Sequence, residues 1–512
     1  MNNFNKQIRD FLNSYEDLKS SKKIKKLLAA KNKLSELPLC CNSLSDSFKK
    51  PKMICLHQFL FYRLINNDFN IHLVNSVSKQ RSLKYPLPIK WTRELKNYGI
   101  NSNTIVCLTL WFFFQIKWYA IGIFTFIIEI LRIFNTKTIN GNYSHFINLG
   151  PNNLSITKNN STIISWFLNQ EESKSINSIT HDVKGSKDFE YQNKKIQRLR
   201  NNLPPLKGFF SITKFLFWGF YTIPISILNT KKRLLLREEV LNKVIELTKN
   251  KNLPKYYLFH NSNWIFRPLW TYTAEKKNCS IILYHYSTNN FSFHFKNENT
   301  IQCGHWNITS WPNHWVWNET QKLFVNEFIK FKTNILIKGF IPFSSKPTKH
   351  IKEDLKYDKS ILVFDVQPQK KYFMASNLQF PEYYNEINVK KFFEHLQKIT
   401  RNKKFNIIFK RKRESVYTSK SYLNYLKNLK LENNNWIEVD PDLSAQDVID
   451  FFAPKLCISM PYTSTAIIAK CLNFNSVYYD PTEKIDISHY SNNNIEVIQG
   501  YKSLENYINS LD

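Results

Sequence analysis

Three consecutive hydroxyl side chains, Thr463, Ser464 and Thr465, lie where an apolar run that ends at Pro461 gives way to the helical pattern Ala466–Leu472. The first backbone N–H groups of a helix have no partner inside it and carry the positive end of its dipole. A phosphate or diphosphate can therefore bind there without a Gly-rich loop. Ser and Thr are also ordinary N-cap residues, and capping alone explains them in most helices. We predict a phosphate-binding site here, with simple capping as the alternative.

A basic run directly follows the apolar pattern Asn406–Phe409, and it consists of Lys410, Arg411, Lys412 and Arg413. Arginine presents a forked donor and lysine a point charge, and both suit a phosphate. A run of charges is more often a solvated face, which remains the alternative for most of these residues. We predict that Lys410 and Arg413 bind the phosphates of the same ligand and that Glu414 orients one of them.

Polar residues also end two other apolar runs. Asp365 and Gln367 follow a run that is closed by Pro368, and they are predicted to contact the nucleotide or sugar. Asp480 ends a later run and is a candidate for a ribose hydroxyl, while turn formation with Pro481 is the alternative role.

A transfer reaction also needs a general base that takes a proton from the attacking hydroxyl, and His, Asp or Glu can serve. The candidates in the first half of the chain are His260, Glu275 and His285, each of which has a structural role as its alternative. Asn261, Asn263 and Arg267 lie close to them in sequence and are predicted to face the acceptor.

The pattern of apolar and polar residues indicates which helices and strands position these residues. From residue 143 onward, short β-type runs alternate with helical patterns, which is typical of βαβ units and a parallel sheet. Strands are predicted at Ser144–Leu149, Tyr256–His260, Ser280–Tyr286, Asn334–Ile337, Ser360–Asp365, Asn406–Lys410, Trp436–Val439, Leu456–Met460 and Ser476–Asp480. Helices are predicted at Pro268–Lys277, Val389–Thr400, Ser419–Leu429, Ala445–Phe452, Ser464–Leu472 and Tyr501–Leu511. Ligands of doubly wound sheets bind at the carboxyl ends of strands, where most candidates lie.

These patterns predict an α/β protein of two Rossmann-like domains with a helical N-terminal extension. The predicted parts are a basic helical region over 1–140, a first domain over 141–345 with an apolar helical insertion near 206–245, a polar linker over 346–358, a second domain over 359–490, and a C-terminal helix over 491–512. The second domain is predicted to hold the phosphate ligand.

Two apolar stretches, Thr104–Phe134 and Phe215–Leu228, are rich in aromatic residues and have basic flanks. A spanning helix needs roughly 20 uninterrupted apolar residues. The first stretch is interrupted by Gln115, Lys117, Glu129 and Arg132, and the second stretch is too short. We predict helices that lie in the plane of a membrane surface, with burial in the core as the alternative.

Composition restricts the class of protein. Of 512 residues, 43% are hydrophobic and 15% aromatic, which excludes a disordered chain. With 72 Lys and Arg against 40 Asp and Glu, the formal charge of +32 favours an anionic partner. The eight cysteines form no C-x-x-C pair, so no structural metal is expected. The N-terminal segment has charges where a signal peptide needs an apolar run, and we therefore expect an intracellular protein.

Three segments carry a family resemblance. The segment SMPYTSTAIIAKCLNFNSVYYDPT (Ser459–Thr482) resembles the PFTS-motif polysaccharide biosynthesis proteins, with Tyr462 at the usual Phe, and ILVFDVQP (Ile361–Pro368) and IIFKRKRE (Ile407–Glu414) resemble other blocks of that family. The resemblance covers about residues 255–490. It implies a GT-B-like glycosyltransferase of bacterial surface-polysaccharide synthesis, such as that of capsule or O-antigen, with two Rossmann-like domains facing a cleft. The resemblance implies that the second domain holds the donor, with its phosphates at the predicted phosphate site, and that the first domain holds the acceptor.

The resemblance also implies the partners: a nucleotide-activated sugar as substrate, a lipid-linked or glycan acceptor, and the inner face of the cell membrane. No metal and no further cofactor are expected. A glycerol-phosphate-type polymerase of the same architecture and a non-catalytic membrane-associated protein remain alternatives. A nucleic-acid-binding protein is suggested by charge alone, because the chain lacks zinc-finger spacing and an RNA-recognition aromatic signature, and no nucleic-acid partner is expected.

Overall fold

A computed structural model gives the architecture of the chain. It describes residues 10–15, 18, 22–36, 50–134, 142–150, 153–154, 162–199, 202–287, 294–296, 306–342, 360–368, 372, 375, 383–401, 405–412, 418–432, 435–490 and 495–511. Helices precede two α/β units, each of which is built on a mainly parallel sheet. The predicted linker over 346–358 lies outside the described residues.

The helices of the first part and of the first α/β unit are α1 (Lys22–Glu36), α2 (Pro51–Leu64), α3 (Asn67–Ser78), α4 (Ile89–Asn97), α5 (Thr104–Phe134), α6 (Ile163–Leu168), α7 (Phe209–Ser226), α8 (Thr230–Leu247), α9 (Leu269–Lys276) and α10 (Glu319–Phe328). Those of the second unit are α11 (Glu386–Thr400), α12 (Lys420–Leu431), α13 (Ala445–Phe452), α14 (Ser464–Cys471) and α15 (Tyr501–Asn509).

The strands of the first sheet are β1 (Tyr143–Ile147), β2 (Ser178–His181), β3 (Phe189–Tyr191), β4 (Lys194–Arg198), β5 (Tyr256–His260), β6 (Ser280–Tyr284), β7 (Asn313–Val316) and β8 (Asn334–Ile337). Those of the second are β9 (Ser360–Phe364), β10 (Asn406–Lys410), β11 (Trp436–Val439), β12 (Leu456–Ser459), β13 (Ser476–Asp480) and β14 (Glu496–Gln499).

The first sheet has the order β3-β4-β2-β1-β5-β6-β7-β8, and only the edge strand β3 is antiparallel to its neighbour. From β1, the chain adds β2 and β4 on one side of the sheet. It then returns to the middle, where β5 pairs with the other side of β1, and β6, β7 and β8 follow on that side. The direction of winding therefore reverses between β1 and β5, where Ile147 pairs with Phe259. Most residues of β1, β5 and β6 are buried and apolar, because helices cover both faces of a parallel sheet.

The second sheet is entirely parallel and has the order β11-β10-β9-β12-β13-β14. This is the strand order of a doubly wound Rossmann fold, and the winding reverses between β9 and β12. Phe364, the last residue of β9, pairs with Ser459, the last residue of β12. The predicted fold class, two Rossmann-like units with a helical N-terminal extension, is confirmed.

Five strands were not predicted: β2, β3, β4, β7 and β14. Strand β14 corrects the prediction of a C-terminal helix over 491–512. The segment 491–512 does not form only a helix, because Glu496–Gln499 pairs with β13 and extends the second sheet before α15 begins.

Helices α5, α7 and α8 form a layer on the first unit. Buried side chains of these helices, such as Phe126, Phe215 and Leu236, share one core cluster with Tyr257 and Phe259 of β5. The outer sides of α5 and α7 are exposed, so the alternative that both stretches are buried in the core is wrong. None of the helices in the described part of the chain combines the length and apolar content needed to cross a bilayer.

The carboxyl edges of the two sheets face each other. Residues 294–296 come after β6, residues 484–486 come after β13, and the two segments pair with each other. The amide of Lys296 donates to the carbonyl oxygen of Lys484 at 2.8 Å, and the amide of Asp486 donates to that of His294 at 2.8 Å. This is the two-domain arrangement that the sequence resemblance implies.

Candidate functional site

The reversal point of the second sheet brings together the two segments that the sequence singled out. Asp365–Pro368 follow β9, and Met460–Thr465 follow β12, which is its hydrogen-bonded neighbour. In doubly wound sheets this crevice at the carboxyl ends of the strands is where ligands bind. The predicted donor residues Asp365, Gln367 and Thr463–Thr465 are therefore neighbours in the fold.

Asp365 is a buried anchor of this crevice. Its Oδ1 accepts hydrogen bonds from the Tyr422 hydroxyl at 2.5 Å and from the Gln367 amide at 2.7 Å, and its Oδ2 accepts from the Lys412 amide at 3.4 Å. Burial raises the pKa of Asp365, while the bond from Tyr422 acts in the opposite direction. With both oxygens engaged, Asp365 shapes the turn rather than offering a free carboxylate to a sugar.

Gln367 has features of a ligand-contacting residue. Its φ of 54° lies in the left-handed region, which non-glycine residues seldom adopt and which recurs at functional sites. Its side-chain nitrogen is buried and has no hydrogen-bond partner among the described residues. A buried donor without an acceptor costs about 1–3 kcal/mol. A ligand oxygen at this position would remove that cost.

The turn after β12 is built differently from an ordinary helix cap. Thr463 is the N-cap residue of α14, but its side chain makes no capping hydrogen bond. Its Oγ1 instead donates to the Ser459 hydroxyl at 2.8 Å and lies 3.1 Å from that of Thr465. The first-turn amides of α14 therefore receive no cap from Thr463 and are available to an anion. Capping does not explain Thr463.

Tyr462 fixes the conformation of this turn. Its φ is 67°, and its side chain is buried with its ring 5.7 Å from that of Tyr478. The Tyr478 hydroxyl in turn donates to the Thr463 carbonyl oxygen at 3.0 Å. A bulky residue at positive φ is strained by about 1–3 kcal/mol, and the buried ring holds the turn in that conformation.

The basic segment after β10 has a different geometry from the one predicted. The ammonium of Lys410 is buried and donates to the carbonyl oxygens of Arg411 at 3.0 Å and Pro441 at 2.9 Å, toward the loop after β11. Arg411 pairs with Glu438 at 3.2 Å. Lys410 therefore holds two loops together. The side chain of Lys412 is exposed beside Asp365, and Arg413 and Glu414 lie outside the described residues.

Asp480 organises a turn, which was the alternative role. Its Oδ1 accepts from the Tyr383 hydroxyl at 2.7 Å and from the Thr482 amide at 2.8 Å, and its Oδ2 accepts from the Gln499 side chain at 3.0 Å and the Ile485 amide at 3.2 Å. The residue is fully buried. A carboxylate with these protein donors is not placed to bind a ribose.

His260 ends β5 at the reversal point of the first sheet. Its Nδ1 accepts the Ser262 amide at 3.2 Å, and its ring stacks on that of Tyr286 at 4.2 Å. Burial lowers the pKa of His260 to about 4. Because Nδ1 accepts a hydrogen bond, we assign the proton of the neutral ring to Nε2. In this state His260 suits hydrogen-bond donation better than proton abstraction.

The other two base candidates are Glu275 of α9 and His285, which directly follows β6. Glu275 forms an ion pair with Arg267. His285 is buried, with Nε2 3.2 Å from Nδ1 of His314, and burial lowers its pKa well below the ordinary value. Neither side chain is available as a base, because one is paired and the other is enclosed.

The predicted acceptor residues are also structural where they are described. Arg267 is buried, and it donates to the Ser310 carbonyl oxygen at 2.7 Å while its amide donates to Gln58 of α2 at 3.1 Å. It joins the N-terminal helices to the first unit. Asn261 accepts the Tyr286 amide at 3.3 Å, and the side chain of Asn263 is outside the described part.

Asp182 is a candidate that the sequence did not reveal. It directly follows β2, next to β1 on the carboxyl edge, and its Oδ2 accepts the Asn148 amide at 2.9 Å. Burial raises the pKa of Asp182, although the side chain is partly accessible. A partly exposed carboxylate with a raised pKa at this edge is a suitable base. Its sequence signal was an Asp after the short run Ser178–His181.

Within the described ranges, no three His, Cys, Asp or Glu side chains are grouped so that they could hold a metal ion. No curated protein sequence matches this chain. Several solved structures resemble it in architecture. Trehalose 6-phosphate synthase from Burkholderia multivorans is 8% identical, with 73% of this chain and 91% of that chain covered and a TM-score of 0.37.

Two further structures give similar values. Methanocaldococcus jannaschii UDP-GlcNAc 2-epimerase, in complex with UDP-GlcNAc and UDP, is 12% identical over 72% of this chain and 92% of that chain, with a TM-score of 0.35. Arabidopsis thaliana UGT89C1, complexed with UDP-L-rhamnose, is 8% identical over 71% and 86%, with a TM-score of 0.38. The family model described as polysaccharide biosynthesis PFTS motif protein matches residues 210–508, which is more than half of the chain.

Proposed function

Because the chain belongs to the PFTS-motif polysaccharide biosynthesis family, we propose that it is a glycosyltransferase. It moves a sugar from a nucleotide-activated donor to a lipid-linked or glycan acceptor during surface-polysaccharide synthesis. The observation that carries the proposal is the reversal point of the second sheet, where the uncapped start of α14 adjoins the buried donor group of Gln367.

The donor diphosphate lies at the turn Thr463–Thr465 in this proposal. Amides and hydroxyls of the turn bind the phosphate oxygens, and the side chain of Gln367 donates to the nucleotide or sugar. Lys412 supplies the cation nearest to Asp365. Helix-end donors placed where negative charge develops stabilise the departing phosphate, and the proposed reaction uses no metal.

The acceptor hydroxyl oxygen attacks the anomeric carbon, and the bond from that carbon to the phosphate oxygen breaks. The nucleotide leaves with the electron pair, and Asp182 takes the proton of the acceptor hydroxyl. Nε2–H of His260 donates a hydrogen bond to the acceptor. Support for this assignment comes from the positions of Asp182 and His260 at the carboxyl end of their strands in the first sheet. The segment 294–296, which follows β6 of the same sheet, pairs with residues 484–486 of the second unit.

The protein works at the inner face of the cell membrane, where lipid-linked acceptors are found. The exposed apolar sides of α5 and α7 support this location, because scattered single hydrophobic residues are normal on a surface but a contiguous set is not.

The test is a thermal-shift assay of the full chain with UDP, GDP and CMP, followed by isothermal titration with the best of them. Binding to the native state raises the melting temperature by mass action. One nucleotide is expected to stabilise the chain, and its sugar conjugate to be turned over in the presence of membrane lipid. Turnover of CDP-glycerol alone would favour the polymerase. If no nucleotide binds, while any DNA binds in a salt-sensitive manner, the proposal is wrong.

A further inference from the structure

Helix α5 exposes large apolar residues on its outer side and buries several polar residues on its inner side. The buried positions of the helix include Gln115, Glu129 and Arg132. Large apolar residues occupy the solvent side, namely Ile105, Leu110, Phe112, Phe113, Ile116, Phe124, Ile127, Ile128, Leu131 and Phe134. A helix that rests on a core normally shows the opposite pattern.

The buried polar groups of α5 are satisfied inside the protein, so the helix is held in this orientation. Arg132 forms an ion pair with Glu129 and donates to the Leu203 carbonyl oxygen. The Gln115 side-chain oxygen accepts from Arg233 of α8 at 2.7 Å. Rotation of the helix to bury its apolar side would break the hydrogen bonds of Arg132 with the Leu203 carbonyl oxygen and of Gln115 with Arg233. A buried polar group that loses its partner is costly.

Helix α7 continues the same outer surface. Its exposed side consists of Phe209, Phe210, Phe217, Phe220 and Tyr221, followed by Ile227 and Leu228. The helix is locked against α5: the Tyr119 hydroxyl donates to the Ile223 carbonyl oxygen at 2.9 Å, and a Cβ at Gly219 would lie 2.1 Å from the Phe126 ring. We call the exposed sides of α5 and α7 together the outer apolar face.

The charges of the outer apolar face have one sign. Lys117 of α5 and Lys214 of α7 are its exposed charged residues, and both are basic. Lys207, Lys231 and Lys232 flank α7 in sequence. An anionic surface complements this pattern. A second copy of the chain does not, because it would bring these lysines together in a protein of formal charge +32.

We infer that the outer apolar face is a bilayer-docking surface that inserts both helices in the plane of an anionic lipid leaflet. At 1.5 Å per residue, the 31 residues of α5 extend about 46 Å, which exceeds the roughly 30 Å of a hydrocarbon core. Buried residues occur along α5 from Cys107 to Arg132, so the helix rests on the protein over most of its length. It therefore lies along the leaflet, with aromatic residues at the acyl boundary and lysines at the headgroups. The face belongs to the first unit, so that unit is the one held at the membrane.

This inference deepens the proposed location, but it does not depend on the proposed chemistry. The experiment is sedimentation of the full chain with vesicles of phosphatidylcholine, alone or mixed with phosphatidylglycerol. The wild type is expected to bind the mixed vesicles, and binding should weaken in 1 M salt, where the Debye length is about 3 Å. The double variant Phe217→Ser/Phe220→Ser should bind at least about tenfold more weakly, because exposed phenyl area no longer enters the acyl region.

The matched control is Ile387→Ser/Leu431→Ser. These residues of the second unit are 77% and 73% exposed, against 71% and 72% for Phe217 and Phe220, so the controls remove similarly exposed apolar side chains elsewhere. The control should bind vesicles as the wild type does. A third variant, Lys117→Gln/Lys214→Gln, should show a weaker preference for phosphatidylglycerol than the wild type while keeping its melting temperature.

Two outcomes overturn the inference. One is that the wild type does not sediment with either kind of vesicle. The other is a lipid-free dimer that Phe217→Ser/Phe220→Ser converts to a monomer, which would assign the face to a second copy. A nucleotide thermal shift on the same samples distinguishes the bilayer-docking proposal from the glycosyltransferase proposal. Nucleotide binding can fail while vesicle binding persists, and vesicle binding can fail while nucleotide binding persists.

Discussion

The hydroxyl of Tyr422 lies 2.5 Å from Oδ1 of Asp365 and joins helix α12 to the carboxyl end of β9. The same oxygen accepts the amide of Gln367. Oδ1 of Asp365 therefore connects helix α12 with Gln367, the residue of positive φ at the reversal point of the second sheet. The geometry of the proposed donor crevice depends on a group outside it.

Replacement of this donor should loosen the crevice. Tyr422→Phe removes a hydrogen bond to a buried charged group, so we expect the free energy of unfolding in urea to fall by about 1–3 kcal/mol. The pKa of Asp365 should rise further, because the bond that opposes the effect of burial is lost. Tyr425→Phe on the same helix is the control. Its hydroxyl is 3.4 Å from the Lys390 carbonyl oxygen, and the expected loss is smaller. Equal losses in the two variants would contradict this role for Tyr422.

The donor turn can be separated from ordinary capping. Ser464→Ala/Thr465→Ala removes two hydroxyls from the start of α14, and we expect nucleotide affinity to fall about tenfold or more, since hydrogen bonds to charged groups are worth about 1.5–3 kcal/mol. The control is Ser444→Ala, because Ser444 caps α13 by accepting the Asp447 amide at 3.0 Å. It should cost about 1 kcal/mol of stability and leave nucleotide affinity unchanged. Titration calorimetry and melting curves measure both. If the double variant loses stability but not affinity, the hydroxyls do not bind the donor.

Sequence patterns were sufficient to predict five of the six strands of the second sheet, all except β14. β10, β11 and β13 have the predicted bounds, and the ends of β9 and β12 differ by one residue. Their apolar runs are bounded by charged residues, and the helices between them have clear periods. The same patterns placed Asp365 and Thr463–Thr465 at neighbouring strand ends.

Other features depend on contacts that sequence patterns do not encode. β4 reads KKIQR, and its partner β2 has only four residues, so neither resembles a strand until they pair. Without β2 there was no reason to single out Asp182. The direction of a side chain after a strand is likewise set by tertiary structure. Lys410 follows a buried strand as expected, but two backbone carbonyl oxygens bind its ammonium.

Asp182 should affect transfer more than binding. With Asp182→Asn the proposed base is lost, and we expect kcat to fall about 10²–10⁴-fold while nucleotide affinity is unchanged. Glu275→Gln is the comparison, because the loss of its ion pair with Arg267 should lower stability rather than the rate of transfer. The measurement is sugar transfer with the nucleotide sugar found by thermal shift. Normal turnover by Asp182→Asn would exclude this residue as the base.

Buried histidines should make the first unit sensitive to acid. Five histidines lie on or directly after neighbouring strands of the first sheet: His181, His145, His260, His285 and His314. His260 is partly buried, and the other four are buried. Burial lowers the pKa of all five, to about 4 for His181 and His260 and about 3 for His145 and His314. In the unfolded chain these rings titrate near pH 6.5.

As the pH falls from 6.5 toward 4, the unfolded chain therefore binds protons that the folded chain does not, and the free energy of unfolding decreases. Each histidine contributes a slope of up to about 1.4 kcal/mol per pH unit. Urea unfolding at a series of pH values measures the slope. His145 Nδ1 lies 2.7 Å from the Thr180 hydroxyl, and the side-chain amide of Gln in the variant His145→Gln can replace this contact. The variant should therefore lower the slope by up to the contribution of one histidine. Parallel curves for this variant and the wild type between pH 6.5 and 4 would show that His145 does not contribute.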